Sequence, residues 1–197
     1  MSKEYRDLPL NHVRRSDREV TDEAWLKHML RTEPVGVMAT VEGDQPFLNS
    51  NLFVYDEADH AIYTHTARTG RTRANVEQAQ KVCFSVFNMG RLLPADVALE
   101  FSVEYAGVVV FGQASVIEDE AEATTALQKL LDKYAPHLTP GQDYRPPVPE
   151  ELKRTTVFKI AIESWSGKKK EVASDFPGAY TYDQIRQKDN QTVTSSL

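Results

Sequence analysis

Residues 62–75, IYTHTARTGRTRAN, bring Arg68, Arg71 and Arg73 together in a chain of formal net charge -6. The stretch opens like a strand and ends like a helix. The first amides of a helix lack internal partners, so they point at a ready anion site. Gly70 lets the backbone turn sharply before the helix. Arg71 can grip a phosphate through two parallel hydrogen bonds. Thr66, Thr69 and Thr72 supply hydroxyls, and His65 adds another donor. The same residues also describe a solvated basic helix end with an ordinary surface histidine, and composition does not separate the two. A metal site built from His60 and His65 with Asp56 or Asp59 matches no recognised ligand spacing, so no metal is expected.

The elements that must position these groups come from a chain of 197 residues, enough for one domain with a sizeable core. The acidic balance argues against general binding to nucleic acid or to an anionic membrane. No apolar run approaches the ~18 residues of a membrane span, and the N-terminus has no secretory apolar stretch. A single cysteine, Cys83, allows no disulfide within the chain, which fits a cytoplasmic protein. It sits in a strand-like run and reads as a buried, inert thiol.

Residues 1–20 read as a polar, extended N-terminal segment, 21–180 as the folded domain, and 181–197 as a flexible tail or an arm on a partner. TDEAWLKHML is a helix capped by Thr21 and stopped by Pro34. Strands are expected at 35–41, 47–56, 61–65, 81–87, 101–117 and 155–165. Gly107 and Gly112 mark a bulge or bend in the long fifth strand. RTRANVEQA is a short helix and residues 118–136 a longer one. The proline-rich stretch 136–149 is an ordered loop or lid. Six strands and few crossover helices predict a closed antiparallel barrel.

The ordered set RRSDR (14–18), THTARTGR (64–71), VCFSVFNMGRLLPAD (82–96), EYAGVVVFGQA (104–114) and ESWSGK (163–168) resembles the FMN-binding split-barrel superfamily of pyridoxamine 5'-phosphate oxidases. Within it, the chain is most similar to the nitroimidazole-resistance (Nim) proteins. The resemblance implies a mainly β, six-stranded split barrel holding FMN in a homodimer. Tyr63 and Thr64 match the family's strand end, and Arg71 the arginine of its phosphate-gripping Arg-Lys pair. Thr72 stands in place of the lysine, leaving Arg73 to supply that charge. Backbone groups of Met38, Ala39 and Thr40 and the side chains of Asn49 and Asn51 would line the flavin. Trp165 matches a tryptophan that borders the flavin from the other subunit; it also reads as a core aromatic. The oxidases' Arg-x-His element is missing after Gly167, so pyridoxamine 5'-phosphate is not the expected substrate. His65 stands where Nim-like relatives carry a histidine, as a proton source or as a structural residue.

The leading expectation is a reductase passing electrons from a nicotinamide donor, NAD(P)H, through FMN to a small acceptor such as a nitroimidazole. The alternatives are a flavin- or haem-binding module without turnover, and a structural dimer with an empty pocket.

Overall fold

The computed structural model describes residues 4–186. One antiparallel sheet contains β1 (Glu19–Val20), β2 (Gly36–Glu42), β3 (Gln45–Asn51), β4 (Phe53–Asp56), β5 (Ala61–Ala67), β6 (Lys81–Leu93), β7 (Ser102–Val116) and β8 (Thr155–Lys170). The strand order is β3-β2-β6-β7-β8-β5-β4, with β1 paired to β8. Among the described residues three α-helices accompany it: α1 (Glu23–Thr32), α2 (Arg71–Gln78) and α3 (Glu120–Tyr134).

The class is the expected one, but the described residues form eight strands rather than six. The run 47–56 is two strands broken at Leu52, and β1 is a two-residue addition. β1 exists because β8 runs past Trp165 to Lys170, which sets Val20 against Gly167 and Glu19 against Lys168. β6 also continues through residues that read as loop, staying paired to β7 as far as Leu93 with one register shift after Met89.

β3 and β4 end the strand order yet follow one another in the chain, so the sheet curls around its main core. Alternation sends Met38, Ile62, Phe84, Val108, Val110, Phe158 and Ile160 inward. Phe53 of β4 meets Phe84 of β6 edge to face, with ring centroids 4.9 Å apart. The β7–β8 register shifts between Phe111 and Gly112, where a Cβ on Gly112 would stand 2.1 Å from the Ala161 carbonyl oxygen. This is the bend that the sequence marks.

α1 is capped by Asp22, whose carboxylate accepts from the Ala24 amide at 2.9 Å, and not by Thr21. α2 plugs one end of the barrel with Thr72, Asn75 and Val76 buried. Its Asn75 Nδ2 donates to Thr40 Oγ1 at 2.9 Å in the interior. α3 covers the outer face of β5, where Ala61, Tyr63, Ala123, Ala126, Leu152 and Val157 form a second core. β5 is therefore buried on both faces, which is why AIYT reads as a continuous run rather than an alternating one. Lys133 donates to the Glu33 carbonyl at 2.8 Å and lies 3.6 Å from the Phe53 ring centroid; burial pulls its pKa down to about 8.

Arg91 closes the opposite region. Its guanidinium meets both Glu104 oxygens, at 2.8 and 2.7 Å, and donates to the carbonyls of Val172, Ala173 and Ser174. This clamp fixes the chain as it leaves β8. Of the expected 181–197 tail, residues 187–197 lie outside the described residues.

Candidate functional site

α2 begins with no capping side chain and no acid in its first turn. Gly70 before it has φ +156°, and a Cβ there would meet nothing within 4 Å. The first-turn amides therefore have no side-chain cap at the positive end of the helix, and the space beside Gly70 is open. On the β3 side, Asn49 Nδ2 donates to Thr72 Oγ1 at 3.3 Å and to Asn51 Oδ1 at 3.1 Å. Arg71 stays half-exposed and forms an ion pair with Glu42, at the end of β2. The fold thus gathers Asn49, Asn51, Gly70, Arg71 and Thr72 at one mouth, with the Asn75–Thr40 bond beneath it.

The other two arginines leave this mouth. Arg68 donates to the Leu152 carbonyl at 3.1 Å. Arg73 donates to Glu77 at 2.7 Å and to Thr156 Oγ1 of β8 at 3.1 Å. Arg73 is spent on β8, so it does not supply the charge that Thr72 lacks.

Thr64 points inward and donates to the Leu52 carbonyl at 2.8 Å, while Thr66 donates to Ala67. Met38 is fully buried in the core, and the backbones of Met38 and Ala39 are paired on both sides, to β3 and to β6. These ladders leave little backbone free to line a ligand. Tyr63 lies beneath α3 and donates to Asp59 at 2.5 Å. Burial and then Asp59 push its pKa to about 12. It faces away from the α2 mouth.

Trp165 is also distant from that mouth within its own chain. β5 and β8 set Ala61 against Ala161 and Ala67 against Thr155. Trp165 lies beyond the Ala61 end, whereas α2 follows the Ala67 end. The indole packs edge-on to His60 at 4.8 Å between centroids, with Tyr55 at 6.3 Å. His60 precedes β5 in the turn and His65 lies in the strand's second half, roughly 16 Å further along an extended chain. Among the described residues, no group of three or more His, Cys, Asp or Glu is arranged to hold a metal ion.

His65 opens into a cavity of about 560 Å³ between β5, α3 and the proline-rich loop, walled by Leu52, Leu127, Leu131 and Tyr134. Burial lowers its pKa, so the imidazole is neutral near pH 7. Two residues here escaped the sequence reading. Glu42 sits in an ordinary-looking turn, and Arg154 lies in a polar stretch with no periodic signal. Only the folded chain brings them to these mouths.

A curled antiparallel sheet plugged at one end by a helix with a bare N-terminus is the architecture of a split barrel. The chain belongs to the pyridoxamine 5'-phosphate oxidase family, whose model matches residues 22–169. Among solved structures it is similar to the flavocytochrome Anf3 from Azotobacter vinelandii: 25% identity, 87% of this chain and 84% of that one, TM-score 0.72. It is similar in fold to the FAD and heme binding protein from Mycobacterium smegmatis, at 23% identity over 86% and 80% of the two chains, TM-score 0.69. A protein assigned to 5-nitroimidazole antibiotic resistance from Bacteroides thetaiotaomicron VPI-5482 shares the fold at 16% identity over 76% and 85%, TM-score 0.63. No curated protein matches the chain. No helix among the described residues is long and apolar enough to cross a membrane.

Proposed function

We propose that this protein binds FMN and passes electrons from a nicotinamide donor to a small acceptor such as a nitroimidazole, as a homodimer in the cytoplasm. The observation that carries the reading is the uncapped start of α2 beside a half-exposed arginine. The bare amides and Arg71 would hold the phosphate, and the amides of Asn49 and Asn51 would meet the polar chain. Family membership and the likeness to a flavocytochrome support a flavin over other phosphorylated ligands. The bound flavin supplies the electron chemistry; the protein positions it. His65, neutral at pH 7, offers a hydrogen bond and a place to accept a proton, not a standing imidazolium.

The dimer reading rests on an apolar outer face. Strand register aligns Ala39, Cys83 and Phe111 in one row and Val37, Ser85 and Val109 in the next. Phe87 beside them is 63% exposed. Light scattering at micromolar concentration should give a dimer; a stable monomer with flavin bound would remove Trp165 from the site.

A binding module holding flavin or haem without turnover is the second reading, favoured by the neutral His65 at an apolar cavity. Absorption of the protein as purified, with mass spectrometry of the released ligand, separates flavin from haem. An anaerobic assay with reduced nicotinamide and a panel of nitroimidazoles and quinones then tests turnover. His65→Gln should slow it more than it weakens FMN binding. No flavin reduction by the donor, or no reoxidation by any acceptor, would leave the binding module standing.

A further inference from the structure

We propose that the cavity between α3 and the outer face of β5 binds an apolar carboxylic acid. Arg154 takes the carboxylate, and Leu127, Leu130 and Leu131 receive the apolar body. The phosphate-side residues Asn49, Asn51, Gly70, Arg71 and Thr72 do not line this cavity, and His65 is the one residue it shares with the flavin reading.

Size and walls come first. A volume of about 560 Å³ lies within the range of small-molecule sites, roughly 300–1,000 Å³. One wall is a helical stripe of leucines, and Leu52 and Pro147 extend the apolar lining. The loop 136–149 that borders it is tied down: Gln128 donates to Tyr144 Oη at 2.7 Å.

Charge decides what the occupant carries. The loop's own arginine is already matched, Arg145 to Glu151, as are Arg71 to Glu42 and Arg91 to Glu104 elsewhere. Among the described residues, the Arg154 guanidinium has neither a salt bridge nor a side-chain hydrogen bond. Its backbone is nonetheless fixed. The Arg154 amide donates to the Glu151 carbonyl at 3.0 Å, and its own carbonyl accepts from the Arg68 amide at 2.9 Å. Glu151, the one carboxylate lining the cavity, is already engaged. Its oxygens accept from Arg145 at 2.8 Å and from the Val148 amide at 3.1 Å. Of the remaining polar groups, the Tyr134 hydroxyl already bonds the Pro34 and Phe53 carbonyls, and the neutral His65 imidazole and Thr155 hydroxyl offer orientation. An apolar wall with one free cation on a fixed backbone is complementary to an amphipathic anion.

The experiment is a calorimetric titration of the full chain, as isolated and after flavin removal. The probes are 2-naphthoate, decanoate and, as an uncharged control, 2-naphthol. At least one acid should bind, and Arg154→Gln should weaken it about tenfold or more while leaving 2-naphthol unchanged. Leu131→Trp, which fills the cavity, should abolish binding of acid and control alike, with circular dichroism unaltered. Preference for 2-naphthoate assigns a flat aromatic acid, and preference for decanoate an alkyl one. If neither acid binds at millimolar concentration, or Arg154→Gln binds as well as wild type, the proposal is wrong. Acid binding that survives flavin removal keeps the proposal whatever becomes of the flavin reading.

Discussion

Arg71 and Glu42 close an ion pair across the gap between the first turn of α2 and the end of β2. A phosphate held by Arg71 must compete with that carboxylate. Both side chains are half-exposed, so the pair adds little to folding, and its loss should be read in binding. Glu42→Gln should tighten FMN by about three- to tenfold. Arg71→Ala should loosen it by roughly ten- to a hundredfold. Riboflavin, which has no phosphate, should respond to neither. Fluorescence titration with both ligands checks this, and parallel responses would remove the phosphate from the α2 mouth.

Asn75 and Thr40 make a different kind of pair, buried and between side chains. Asn75→Ala strands the Thr40 hydroxyl and opens space under α2. It should cost about 1–3 kcal/mol in urea unfolding. Thr40→Val in the same background should return part of that loss, because the orphaned hydroxyl is gone. Simple additivity of the two changes would show that the bond is not what matters.

The Arg91–Glu104 clamp sets an acid limit. Arg91 and two backbone amides hold the Glu104 carboxyl at about 2 in the folded protein, against an ordinary 4.5. A depressed carboxyl stabilises the fold in full above its unfolded value and loses that contribution as pH falls through about 2. Glu104→Gln should therefore destabilise the protein at pH 7 and flatten its decline between about pH 4.5 and 2. Melting temperatures across that window test the sign. Limited proteolysis should also cut residues 172–180 faster in the variant.

Gly112→Ala should be among the most damaging small changes in the barrel. The obstacle is the Ala161 carbonyl oxygen, which belongs to the sheet and cannot rotate away. The expected loss is about 1–3 kcal/mol, the range for overpacking. Gly43→Ala offers a comparison, since a Cβ there meets nothing within 4 Å although φ is +61°. A smaller loss at Gly112 than at Gly43 would contradict the close approach.

Much of this fold is legible in the chain because sheet periodicity is local. Alternation in 35–41 and 155–165 finds β2 and β8, and Gly112 finds the bend. The misses have physical causes. Leu52 breaks a run that looks continuous, because the barrel must turn between its two end strands. β8 outlasts its alternation, since pairing with β7 and β1 carries it through three lysines that the sequence reads as an ending. The site was less legible. Arg68, Arg71 and Arg73 look equivalent in sequence, yet helix phase sends Arg73 to β8 and leaves Arg71 at the mouth. Trp165 looks like a site residue, but in its own chain it packs against His60 and Tyr55. Arg154 has no local signature; that Glu151 pairs with Arg145 and leaves Arg154 without an ion pair among the described residues is seen only in three dimensions.

α2 both carries the candidate phosphate loop and stops the end of the barrel with Thr72, Asn75 and Val76. Occupancy and folding therefore draw on the same eight residues. Any ligand that ties down the first turn of α2 also slows the uncorking of the core behind it. The cofactor would then act as a timer on the protein's lifetime, with emptied molecules opening first at this helix and being cleared before filled ones.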